Sequence, residues 1–157
     1  MKKMVFLSIC LFVVSFATAQ DFNKIANTQF KVVEDYDKAE SDVLKAADFL
    51  FNTPAKPLTD NRAIAVRFVL NWMEGTAKYT FSLSSEMVKV TKEDPDLIGL
   101  YFAGLTKIAL DNPDQKFTDD EMHEKTTQLL AVYCSKKENK LKPTKALKKI
   151  IRKMKKS

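Results

Sequence analysis

DPDLIGLYFAGLTKIAL, residues 94–110, decides the architecture of this chain. Asp94-Pro95 is a helix start, a capping side chain followed by the one residue whose missing N–H costs nothing at the first helical position. From Leu97 to Leu110 the only charge is Lys107. A helix that is apolar on nearly every side must be covered on nearly every side, so it predicts a central helix with others packed around it. Gly99, Ala103 and Gly104 fall where a neighbouring helix would approach closely. Each glycine costs about 1 kcal/mol of helix propensity, which such packing has to offset.

The segments on either side supply that cover. Apolar residues recur at three- and four-residue spacing through the chain, with no long alternating run. A first helix is expected over about Phe30–Phe51, with Glu34, Asp35 and Asp37 at the positive end of its dipole and Pro54 and Pro57 closing it. A second is expected over Asp60–Glu74, capped by Thr59 or Asp60, with only Arg67, Asn71 and Glu74 as a polar strip. Gly75 is expected to end it in left-handed geometry. Tyr79–Leu83 reads as an extended connector, and Ser84 or Ser85 caps a short helix to about Lys92. Thr118-Asp119-Asp120-Glu121 is a capping box for a fifth helix, and a sixth follows Lys142-Pro143. The expected fold is all-α: a single domain over residues 20–157, built as a bundle or short stack of five to six helices paired as hairpins. A tetratricopeptide-like arrangement stays open as a variant, although no 34-residue repeat carries that signature.

The beginning of the chain has another character. Lys2 and Lys3 precede an apolar run from Val5 to Ala17, and Ala17-Thr18-Ala19 is a small-x-small site before Gln20. This is the layout of a signal peptide over residues 1–19, implying export to the periplasm or beyond the cell. Cys10 follows a bulky Ile9 inside the run, which does not suit a lipoprotein. Past the leader only Cys134 remains, so no internal disulfide is available, as suits a bacterial envelope better than a stapled secreted scaffold. No membrane-spanning segment is expected after cleavage. Three glycines exclude a glycine-rich phosphate loop.

Residues that could carry chemistry also have plainer roles. His123 and Cys134 sit eleven residues apart on one expected helix, about 16 Å along its axis, too far for a dyad or a shared zinc ion. The acids from Asp111 to Glu124 fail the calcium-loop pattern, with Pro113 at its third position and Lys116 where glycine must turn. His123-Glu124 lacks the second histidine of a zinc peptidase. Asp94 with Asp96, or Asp119 with Glu121, could pair as acid and base in sugar hydrolysis, but helix capping accounts for them more simply. No cofactor is expected.

The most distinctive segment is Trp72-Met73-Glu74-Gly75-Thr76-Ala77-Lys78-Tyr79-Thr80-Phe81. It resembles small exported helical proteins of Bacteroidota that carry a Trp-Met-x-Gly-Thr-x-x-Tyr-x-Phe segment, more loosely over about Ala46–Asn112. The resemblance implies an exported helical domain and brings no activity and no site residue. Physically, Trp72, Tyr79 and Phe81 can fold over a helix end as an apolar lid. The other reading makes them a small-ligand cleft with Arg67 and Asn71 as its polar groups.

Charge is segregated. Residues 136–157 hold eleven Lys or Arg against Glu138, a net of +10, whereas residues 20–135 hold thirteen basic and nineteen acidic residues, a net of −6. The C-terminal helix, expected over 143–155, places Pro143, Leu147, Ile150, Ile151 and Met154 in one stripe. Lys145, Lys148, Lys149, Arg152, Lys153, Lys155 and Lys156 fill the other arc. This is a helix that lies on a surface, apolar side down. That surface is either the protein's own acidic body, with the lysines solvated or facing Glu34, Asp35 and Asp37, or a phosphate-rich lipid or acidic partner. Export argues against nucleic acid. The expected function is a non-catalytic exported module acting by contact with an envelope component or partner protein. The alternatives are a small periplasmic enzyme with a carboxylate site, and a ligand binder using the Trp72, Tyr79 and Phe81 region.

Overall fold

The computed structural model describes residues 21–156; the leader expected at 1–19 lies outside them. Among the described residues the chain forms α1 (Phe22–Asn27), α2 (Val33–Asn52), α3 (Asp60–Gly75), α4 (Ser85–Thr91), α5 (Pro95–Asp111), α6 (Asp119–Ser135) and α7 (Lys145–Met154), with a 3-10 turn at Lys137–Asn139 and no strand. The fold is all-α, as the apolar spacing predicts.

Helix starts follow the side chains that can accept from free N–H groups. Thr59 Oγ1 accepts from Arg62 N–H, Asp94 from Asp96 and Leu97, and Thr118 from Glu121, whose carboxylate returns the bond to Thr118 N–H at 2.8 Å. The C-terminal helix differs from expectation. Thr144 caps it through Leu147 N–H, and Pro143 stays outside. α1 has no counterpart in the sequence reading, because six residues are too few to show a helical period.

α5 occupies the middle. It packs against α2, α3, α4 and α6; α2 and α3 also pack on each other, α7 lies on α6, and α4 wedges against α5, α6 and α7. The core joins Val43 and Leu50 of α2, Phe68 and Trp72 of α3, Leu100 and Tyr101 of α5, and Leu130 and Tyr133 of α6. Lys107, the lone charge on α5, is half-buried between Asp48 and Asp111, at 2.6 and 2.9 Å. Burial works against its charge, but the two carboxylates outweigh that and hold its pKa above the ordinary value.

The glycines of α5 act as spacing predicts. A Cβ at Gly99 would meet Val66 of α3 at 3.2 Å, and one at Gly104 would meet Thr126 of α6 at 3.0 Å. Gly75 is a correction. No glycine has positive φ among the described residues, and α3 is capped by Thr76 in extended geometry. The Tyr36 ring lies over Gly75, its hydroxyl 2.1 Å from where a Cβ would stand, so any side chain there has to displace that ring. Gly75→Ala is therefore expected to destabilise the fold by about 1–3 kcal/mol, the range of overpacking, despite alanine's better helix propensity. A urea midpoint at or above that of the wild type would remove the close-approach explanation.

A buried polar knot ties the helix ends together. Arg62 is 3% exposed, and its Nη1 donates to Leu50 O, Thr53 O and Thr53 Oγ1 at 3.0, 3.0 and 2.9 Å. Tyr133 O–H donates to the same Thr53 carbonyl at 2.6 Å, and Asn139 Nδ2 donates to Tyr133 O. A cation among the last carbonyls of α2 has the sign that the helix dipole favours.

Candidate functional site

The aromatic segment forms a lid. Trp72 is completely buried, its Nε1–H donates to Tyr36 O at 2.9 Å, and its ring lies 5.6 Å from Tyr79 and 6.2 Å from Phe81. Arg67 and Asn71 stand exposed on α3. A depression of about 420 Å³ does lie beside Tyr79 and Phe81, but its remaining walls come from Lys78, Thr80 and the 109–122 region. The structure thus brings Tyr79 and Phe81 to a concave surface and does not bring Trp72, Arg67 and Asn71 with them.

Three of the four acids considered for catalysis have structural duties, and the fourth, Asp119, is exposed in the first turn of α6. Asp94 caps α5, Asp96 pairs with Lys56 at 2.6 Å, and Glu121 closes the capping box of α6. No group of three or more His, Cys, Asp or Glu side chains among the described residues is placed to hold a metal ion. Cys134 is buried, and loss of hydration pushes its thiol up to about 12, so little thiolate forms near neutral pH.

His123 is more embedded than its sequence position suggests. Tyr101 O–H lies 2.9 Å from Nδ1, while Thr127 Oγ1 donates to the His123 carbonyl at 2.7 Å and stands 3.4 Å from Nε2. Thr127 has spent its proton, so these contacts suit a neutral ring with hydrogen on Nε2 and an accepting Nδ1. Burial lowers the His123 pKa and favours that neutral form. His123 and Glu86 lie between two hollows. One, of about 140 Å³, runs under residues 80–84 and reaches Asp119 and Asp120. The other, of about 470 Å³, lies between α4, α6 and α7 over Val90, Ile150 and Met154. Neither is visible in the sequence, because each is assembled from segments dozens of residues apart.

α7 docks on its own body. Leu147 is completely buried, Ile150 and Ile151 are half-buried, and Thr144 O–H donates to Val90 O of α4 at 2.8 Å. Lys145, Lys148, Lys149, Arg152, Lys155 and Lys156 are exposed and form no ion pair with a described residue. Lys153 stands at the rim of the larger hollow. The lysines do not face the start of α2. Asp35 there accepts from the N–H groups of Lys31 and Val32, and Asp37 pairs with Lys78 at 3.2 Å. No helix among the described residues is long and apolar enough to cross a membrane.

Comparison with known proteins adds no kinship: no family model, curated protein or solved structure matches this chain.

Proposed function

We propose that this protein is a non-catalytic, exported helical module that works by contact, setting the outer face of α7 against an anionic component of the cell envelope. One observation carries the reading. α7 is fixed to the body by a fully buried Leu147, while four of its cations, with Lys155 and Lys156 just beyond its end, are exposed without partners among the described residues. A chain that needed these charges only for solubility has no reason to gather them on one docked helix beside an acidic body. Each basic side chain held near an anionic surface contributes about 1 kcal/mol. Salt weakens this attraction as the Debye length falls from ~30 Å at 0.01 M to ~8 Å at 0.15 M. The Bacteroidota resemblance and the leader-like N-terminus support an envelope location, in the periplasm or outside the cell.

Deleting α7 would expose the surface beneath Leu147, so charge removal is the cleaner test. Lys145, Lys148, Lys149, Arg152, Lys155 and Lys156 are replaced together by glutamine, which leaves the apolar stripe intact. Co-sedimentation with phosphatidylglycerol-containing vesicles at low salt is expected to fall at least roughly tenfold, and wild-type protein should release as salt rises. Equal sedimentation of the two proteins, or binding indifferent to salt, removes α7 as the contact face.

A further inference from the structure

α7 uses only part of its apolar stripe against the body. Leu147 is completely buried, whereas Ile150 is half-buried and Met154 stays 43% exposed. Ala146, Ile150 and Met154 recur at every fourth position, so they form a row about 12 Å long on one side of the helix. That row lines the hollow of about 470 Å³ between α4, α6 and α7, to which α4 adds Val90. The volume falls within the range of about 300–1,000 Å³ that small-molecule sites occupy.

The lining selects the shape of an occupant. It contains no Phe, Tyr or Trp, so a flat ring finds none of these to stack on, whereas an alkyl chain matches an aliphatic row. Met154, unbranched, adapts to such a chain. On the α6 side Thr127 O–H already donates to the His123 carbonyl, so a chain laid over it strands no donor.

Charge sets the polarity of the site. Glu86 of the lining is paired with Lys89. Lys153 lines the hollow next to Met154. Lys149 and Lys156, four residues before it and three after, are exposed on the same side of the chain. Against these three lysines the lining sets Glu124, which accepts from Gln128 Nε2 at 3.1 Å. The other end of the row, at Ala146, lies close to where Thr144 O–H joins α7 to α4 at Val90 O.

We infer that this hollow binds an unbranched medium-chain fatty acid. The alkyl chain lies along Ala146, Ile150 and Met154, and the carboxylate sits at Lys153 between Lys149 and Lys156. The site goes beyond the contact reading, because it takes one soluble molecule at the inner edge of α7 rather than a surface at its outer face. Burial of the chain also makes affinity rise with each added methylene, which a purely electrostatic contact does not do.

Displacement of a dansyl-labelled undecanoic acid from the wild-type protein, read by dansyl emission without membranes, tests this. Dodecanoate is expected to displace the probe at a roughly tenfold lower concentration than decanoate, the effect of two more buried methylenes. Dodecyltrimethylammonium, with a chain of the same length and the opposite charge, is expected to need at least roughly tenfold more than dodecanoate. Ala146→Phe puts a ring into the row and is expected to abolish probe binding with its circular dichroism unchanged. A probe that does not bind, or displacement indifferent to chain length or to charge, overturns the site. So does a folded Ala146→Phe protein that binds the probe like the wild type. The chain-length and charge arms use only wild-type protein, so the answer stands even if the variant does not fold. None of these readings involves vesicles, so the fatty-acid site and the outer-face contact fail separately.

Discussion

Trp72→Ala is expected to lower the folding free energy by about 3–5 kcal/mol, the usual cost of emptying a large aromatic site in a core. Trp72 has no exposed surface, and its loss leaves Tyr36 O without the indole donor 2.9 Å away. It also takes away the ring on which Tyr79 and Phe81 rest. Trp72→Phe keeps most of the apolar contact but not the hydrogen bond, so it should cost about 1–2 kcal/mol, the scale of one lost hydrogen bond plus a small void. Because Trp72 is the only tryptophan, unfolding of the variants has to be followed by circular dichroism. If Trp72→Ala shifts the urea midpoint by less than ~1 kcal/mol equivalent, the residue is not the keystone its burial implies. The open-cleft reading of the aromatic lid would then regain its footing.

What could be read from the sequence follows the range of the interactions involved. Helix starts are local events: Thr59, Asp94 and Thr118 each satisfy N–H groups two or three residues ahead, and all three were legible. The central place of α5 was legible because a nearly uncharged helix has nowhere else to go. Gly75 was seen but misread, since what lies over it is Tyr36, thirty-nine positions earlier in the chain. Arg62 was not singled out, because a cation in the first turn of a helix reads as surface. Only the fold brings the end of α2 to it. The hollows beside residues 78–84 belong to the same class, because their facing wall, residues 113–123, arrives through packing of α5 and α6.

The charge pattern has a similar division. Segregation of basic from acidic residues is a property of composition and could be counted. Whether the basic helix neutralises the acidic body depends on placement, and α7 sits on α6 and α4, away from the ion pairs of α2. The acids of α2 find their cations elsewhere: Asp42 takes Lys24 and Lys45, and Glu40 takes Lys78. Lys145, Lys148, Lys149 and Arg152 of α7 thus remain exposed, with no ion pair to a described residue.

Arg62→Met should be the second most damaging of these changes, at about 2–3 kcal/mol, although methionine fills much the same space. Hydrogen bonds from a charged donor contribute about 1.5–3 kcal/mol, and the variant strands the Leu50 carbonyl in a region that water reaches poorly. Leu50 O loses its Arg62 contact outright, while Thr53 O retains Tyr133 O–H. Because Arg62 and Tyr133 share that acceptor, their effects cannot be independent. Tyr133→Phe alone leaves Thr53 O to the arginine, and the double variant leaves it to nothing. A double-mutant cycle should therefore show a double loss exceeding the sum of the singles by about 0.5–1 kcal/mol, within the range for residues in one network. Strict additivity would mean that the two donors act on separate parts of the fold. A single-variant cost under ~0.5 kcal/mol would mean that the carbonyls of α2 find water once the guanidinium is gone, and that Arg62 fills space rather than ending a helix.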